Sequence, residues 1–259
     1  MDIQDTPMQP INIFLKSSEY TYCNTQKNSL IFELNKPILP YPNMETLICL
    51  ESFYFTNSFY TINENCCNFA YTYSSTIINK TLSFGNYDID SLINYLNTAL
   101  SPFVFTYSSI TLTITITNST AFNLSNVSNN IYELLGFDTI VIASSLSTSK
   151  ISPYMFNLMT NQILHVCTPN IMLNSYGLKN TTKRNILGSI QVNCQPGETQ
   201  SYTNNFKYKI GNDPITAIWI NIYNQDFNTV NFNYIYWFIH ISFSFIYKKQ
   251  LILQQFLTE

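Results

Sequence analysis

Apolar and hydroxyl-bearing side chains alternate along much of this chain, with a period of two. Over residues 234–247, Trp237, Ile239, Ile241, Phe243 and Phe245 take turns with His240, Ser242 and Ser244, the pattern of a strand with one face against a core. Residues 217–223 repeat it with Ile218, Ile220 and Ile222 inward. Ile110, Leu112, Ile114 and Ile116 against Thr111, Thr113, Thr115 and Thr117 predict a further strand over 110–117. Residues 46–56 read as a buried strand with Leu47, Cys49, Glu51, Phe53 and Phe55 on one side. Strand-sized runs also lie at 11–15, 29–34, 68–74, 76–84, 140–143, 161–167, 170–174, 185–194 and 206–210, separated by turn residues. Pro37, Pro40 and Pro42 make 36–43 a rigid crossover, because proline cannot donate to a central ladder.

The period changes in one place. Ile89, Leu92, Ile93, Leu96 and Leu100 recur at three and four residues and predict a short helix near 88–100. Asp88 and Asp90 are both N-cap candidates, Gly85-Asn86 supplies the turn before it, and Pro102 stops it. Ile131, Leu134 and Leu135, closed by Gly136, predict a second short helix near 130–136. Residues 118–129 read as an Asn/Ser loop, and 139–153 as a Ser/Thr-rich crossover.

Together these elements predict an all-β fold: a jelly-roll β-sandwich over 11–80 plus 160–248, with a small α/β insertion at 81–159. Residues 1–10 read as an extended N-terminal arm, and 249–259 as a C-terminal tail or short helix. No fixed-period repeat or Gly-rich linker divides the chain.

Composition sharpens the functional reading. Charged residues are 10% of the chain and aromatic residues 15%, so Asn, Ser, Thr and Tyr must make up the surface. A neutral polar surface lacks the mutual repulsion that keeps charged proteins apart, which suits an assembly subunit. Asn, Ile, Tyr, Phe and Lys also share A/T-rich codons, so part of the bias is genomic. Net charge is −3, and no basic face of the kind that binds phosphates is evident despite Lys179, Lys183, Arg184, Lys248 and Lys249. Six cysteines without CxxC spacing read as reduced buried thiols. No secretion signal opens the sequence, so the reading places synthesis in the cytosol. The apolar run 232–246 is a strand by its period rather than a transmembrane segment. Five Asn-x-Ser/Thr matches, at Asn79, Asn118, Asn123, Asn126 and Asn180, are expected by chance in so Asn-rich a chain.

Candidate chemistry is sparse. His165 and His240 lie on separate strands, so a histidine-based metal site is not expected. His165 and Cys167 share one strand face and form the one conceivable Cys-His pair; a packed histidine beside a buried thiol is the simpler account. His240 reads as a solvated or interface histidine. Asp88 and Asp90, two apart, do not face each other on a helix and serve as caps. Glu198, Asp213 and Pro214 are turn residues, and no phosphate-binding Gly-rich loop is present. No catalytic, cofactor-binding or metal-binding residue is therefore assigned, and the chain is read as a non-enzyme. A glycan-binding attachment module is the alternative, motivated by exposed tyrosines and the loop 118–129.

The order of pieces resembles the minor capsid, or penton, proteins of virophages and Maverick/Polinton elements. The resemblance covers most of 11–247 and rests on a GxYxxxxLxxxLN helix motif (Gly85, Tyr87, Leu92, Leu96, Asn97), the LLGF turn at 134–137 and the closing aromatic strand. It implies a single jelly roll that forms homopentamers at icosahedral vertices of a virion, assembled in the host cytoplasm and surrounded by trimers of a major capsid protein. Where such proteins often carry a Gly-containing hairpin before the last strand, this chain has QDFNTVNFN.

Overall fold

The computed structural model describes residues 8–23, 29–73, 75–138, 146–159, 161–173 and 185–247. Among these residues the chain forms fifteen strands and one helix, in two compact units: 1–58 with 161–259, and 59–160. The expected strand at 140–143, the tail at 249–259, residues 1–7 of the arm and the basic residues Lys179, Lys183, Arg184, Lys248 and Lys249 lie outside the described residues.

The first unit contains β1 (Ile11–Lys16), β2 (Tyr22–Cys23), β3 (Ser29–Ile38), β4 (Met44–Thr56), and then β10 (Ile163–Cys167), β11 (Ile186–Gln191), β12 (Thr199–Thr203), β13 (Lys207–Lys209), β14 (Ile215–Tyr223) and β15 (Phe238–Tyr247). One sheet runs β1-β15-β4-β12, with β13 also on β4, and the other β11-β10-β14-β3-β2. Leaving aside the two-residue β2 and treating β12 and β13 as one interrupted strand, the eight strands in chain order lie 1-8-3-6 and 2-7-4-5. Successive strands change sheet at every step except from the fourth to the fifth. That is the wrapped double Greek key of a jelly roll, and all these pairings are antiparallel. Phe32 and Trp237 meet edge to face between the layers at 6.4 Å, and Trp237 meets Phe53 at 6.2 Å.

Alternation delivers the core of β15 and β14 as read: Ile239, Ile241, Phe243 and Phe245, and Ile218, Ile220 and Ile222, are all buried. In β4 the phase differs from expectation. Met44, Thr46, Ile48 and Leu50 face the core before Glu51, and Phe53 and Phe55 after it. The register against β15 shifts between His240 and Ile241, opposite Ser52 and Leu50, leaving Glu51 as the extra residue of a β-bulge. A bulge moves one strand by one residue, so the inward set changes from even to odd numbers. Pro37 also lies inside a strand rather than a crossover, because the β3–β14 register skips from Glu33 to Ile38 and asks for no donor there. Of the strand expected at 170–174, residues 170–173 are described and form a turn with one isolated bridge: Ile171 N–H donates to the Thr168 carbonyl at 3.2 Å, and Leu173 bridges to Ile210.

The second unit holds β5 (Asn68–Tyr73), β6 (Thr76–Thr81), α1 (Ile89–Ala99), β7 (Val104–Tyr107), β8 (Ile114–Leu124) and β9 (Ser147–Ile151). Its sheet runs β6-β5-β8-β7, with β9 also on β8. The insertion thus begins at Phe59, not after residue 80. The reason is Phe69 on β5, which packs against Phe103, Phe105 and Tyr132 at 5.5 to 5.7 Å and commits its hairpin to this core. Helix α1 buries Leu92, Ile93 and Leu96.

Three local expectations are corrected here. Residues 108–113 form a turn, not the start of a strand. Ser108 N–H donates to the Thr113 carbonyl at 2.9 Å, Thr111 N–H to Ser108 Oγ at 3.2 Å, and Leu112 takes φ 55°. Hydroxyl turn chemistry overrides periodicity there, and Ile110 is left 92% exposed. Residues 118–124 continue β8 instead of looping, because Phe122 and Leu124 are buried, and β9 occupies part of the expected crossover. Near 130–136 overlapping turns stand in place of a regular helix, with Leu135 N–H on the Ile131 carbonyl at 3.2 Å, Gly136 N–H on Glu133 at 3.1 Å and Phe137 N–H on Tyr132 at 2.8 Å. So short a run does not sustain helix propagation.

Gly136 ends that run at φ 81°, and a Cβ there would run into the carbonyl oxygens of Tyr154 and Met155. Tyr154 N–H donates to the Gly136 carbonyl at 3.2 Å and Asn157 N–H to Leu134 at 2.9 Å, so the approach is fixed by hydrogen bonds. Gly136→Ala should lower stability by roughly 2–4 kcal/mol, combining left-handed strain with overpacking. Equilibrium urea unfolding measures it, and an unchanged midpoint would contradict this account of Gly136.

Candidate interaction surface

The motif residues singled out in the sequence turn out to hold the second unit together. Asn97 reaches from α1 to the β7 backbone, donating from Nδ2 to the Phe105 carbonyl at 3.1 Å and accepting Phe105 N–H at 2.6 Å. Tyr87 stacks on Tyr95 at 5.1 Å. Asp88 caps α1 by accepting Ser91 N–H at 2.7 Å and Ser91 Oγ–H at 2.6 Å, and the Ser91 hydroxyl and backbone bonds hold its carboxyl below the usual range. Asp90 does not cap; it accepts the Tyr107 hydroxyl at 2.9 Å, which pushes that phenol upward.

His165 and Cys167 stand differently from the expected shared face. A register shift falls between Val166 and Cys167, and both of those side chains are buried. The His165 ring shares a hydrogen with Ser189 Oγ at 2.8 Å and stacks on Phe227 at 4.7 Å. Phe227 belongs to the closing turn, which Asn224 braces by accepting N–H from Asp226 and Asn228 at 3.1 and 2.8 Å. His240 stacks on Phe14 at 4.3 Å and meets Asn12 Oδ1 at 3.0 Å. Glu198 accepts Gln195 N–H at 2.9 Å in a turn. Among the described residues no group of three His, Cys, Asp or Glu side chains is placed to hold a metal ion, and no helix is long and apolar enough to cross a membrane.

What the fold does build is an aromatic surface. In the sheet of β1, β15, β4 and β12, two cross-strand rows point away from the core. One joins Lys16, Phe238, Tyr54 and Ser201, and the next joins Phe14, His240, Ser52 and Thr203. Their neighbours Leu15, Ile239, Phe53 and Phe55 are buried, which fixes the outward direction by the pleat. Lys16 Nζ lies 5.7 Å from the Tyr236 ring centroid and 5.6 Å from that of Phe238. Phe14, Tyr54, Tyr236 and Phe238 are all exposed. The same alternation that gave the core face gives this one, yet sequence alone marks Phe14 and Tyr54 as apolar without saying that they stay in water.

None of the six cysteines forms a disulfide. Burial, with the Glu51 carboxylate nearby, pushes the Cys49 thiol up to about 11, and burial raises Cys66 and Cys194 as well. Since only the thiolate reacts, iodoacetamide at neutral pH should label exposed Cys23 first, and Cys49, Cys67 and Cys167 only on unfolding. Fast labelling of Cys49 in the folded chain, read by peptide mass mapping, would contradict the packing of β4.

No family model and no curated protein sequence matches this chain. Among solved structures, the chain is similar to the crystal structure of the selenomethionine-labelled mavirus penton protein, with a TM-score of 0.47 and 11% identity over 92% of this chain and 100% of that one.

Proposed function

We propose that this chain is a structural subunit of an icosahedral virion: a minor capsid protein that forms pentamers at the vertices and meets trimers of a major capsid protein. The observation that carries the reading is a jelly-roll sandwich whose outer sheet face offers exposed aromatic rings, in a chain of which only 10% of the residues are charged. Apolar patches gathered on one face are often contact sites. A subunit of a shell buries them, and closed symmetry multiplies weak contacts into a stable ring. The sequence motifs behind the penton resemblance agree with this, because Leu92, Leu96, Asn97 and Gly136 act as packing and clasp residues. Fold alone does not assign function, so the assembly state is the test.

Native mass measurement of the purified 29.9 kDa chain, alone and with a major capsid protein, should give a ring of five copies or incorporation at vertices. A stable monomer that ignores the capsid protein and binds soluble oligosaccharides would replace this reading with the attachment module.

A further inference from the structure

We infer that the outer face of the β1-β15-β4-β12 sheet, centred on Phe14, Tyr54, Tyr236 and Phe238, is the surface by which one copy of this chain docks onto a second copy. The inference rests on the capsid-subunit reading and deepens it by naming the contact.

Size comes first. Phe14 is 73% exposed, Tyr236 52%, Phe238 46% and Tyr54 45%. Taking about 200 Å² for each whole aromatic side chain, they leave roughly 400 Å² of ring surface in water. A stable interface uses about 800 Å² per partner, with an apolar centre and a polar rim. The shelf supplies such a centre. Exposed Asn12, Ser201 and Thr203, on the same face, supply polar rim positions, Ser52 between them is already buried, and Lys207 at the far end of the Asn12 row can keep its ammonium in water.

Charge then selects the occupant. Lys16 is the cation nearest the rings, held over Tyr236 and Phe238, Lys207 lies farther along the same face opposite Cys49, and the chain as a whole carries −3. A second copy is therefore electrostatically favourable, provided that it presents a different face. Shelf against shelf would bring two Lys16 ammonium groups into one water-poor contact, which is costly. Head-to-tail docking avoids this and is the geometry that closes a ring.

The test is self-association of the full chain, followed by sedimentation velocity and native mass spectrometry. Two variants are compared with the wild type: Phe14→Ser with Phe238→Ser, and Lys16→Glu. Neither touches a core-facing position, and the second keeps every aromatic ring, so it remains informative should the double variant fold poorly. Each should weaken ring formation at least about tenfold, as expected for a central anchor, with the thermal transition of Lys16→Glu unchanged. Wild-type rings that form equally well in both variants would overturn the shelf assignment while leaving the capsid-subunit reading in place. A wild-type chain that stays monomeric at all concentrations would overturn the shelf assignment, and one that also ignores a major capsid protein would overturn both.

Discussion

The sandwich depends on one ladder, that of β15 against β4. It joins ten residues of β15, from Phe238 to Tyr247, to partners from Tyr54 to Met44, and β15 also carries β1 on its other side. Its inner face sets Ile239, Ile241, Phe243 and Phe245 beside Ile48, Leu50, Phe53 and Phe55. At roughly 1.5–3 kcal/mol for each such side chain, this face alone accounts for a gross burial as large as the net stability of an ordinary domain, about 5–15 kcal/mol. A one-residue slip would turn that face to solvent. The bulge at Glu51 is how both strands keep their oily side inward despite unequal lengths, and the bulged carboxylate has a partner, accepting a hydrogen bond from Ser242 Oγ.

The same ladder explains why much of the fold is legible in the sequence. Where a strand is long and its inner residues are large, as at Ile239 to Phe245 or Ile218 to Ile222, period two identifies both element and face. The helix is equally plain, because its stripe, its Asp88 cap and its end are all local. What stays hidden is set by partners distant in the chain. The bulge at Glu51 exists only relative to β15, so the phase of β4 cannot be read from β4. Pro37 is tolerated in β3 because β14 leaves an irregular stretch opposite it. Ile110 and Leu112 continue an alternating pattern but lie in a turn that Ser108 organises, and Phe122 and Leu124 hide in a polar run. The boundary at Phe59 follows from Phe69 choosing the rings of Phe103, Phe105 and Tyr132.

The surface follows from the same alternation. Each strand that gives one face to the core gives another to water, and in a chain with 10% charged residues that outer face is furnished with hydroxyls, amides and rings. On the β1-β15-β4-β12 sheet the rings gather, with Lys16 above two of them and His240 stacked on Phe14. The candidate residues of a Cys-His pair are absorbed into packing instead: a bulge intervenes between Val166 and Cys167, and the His165 ring lies on Phe227. None of this adjusts a nucleophile toward reactivity, since burial raises the Cys49, Cys66 and Cys194 thiols.

Native-state hydrogen exchange resolved to single amides tests the central claim most directly. The ladder amides of β4 and β15 should be the slowest in the first unit, exchanging only when that unit unfolds globally. Rapid exchange along Ile239 to Phe245, while β1 or β12 at the sheet edges stayed protected, would contradict the dependence of the sandwich on this ladder.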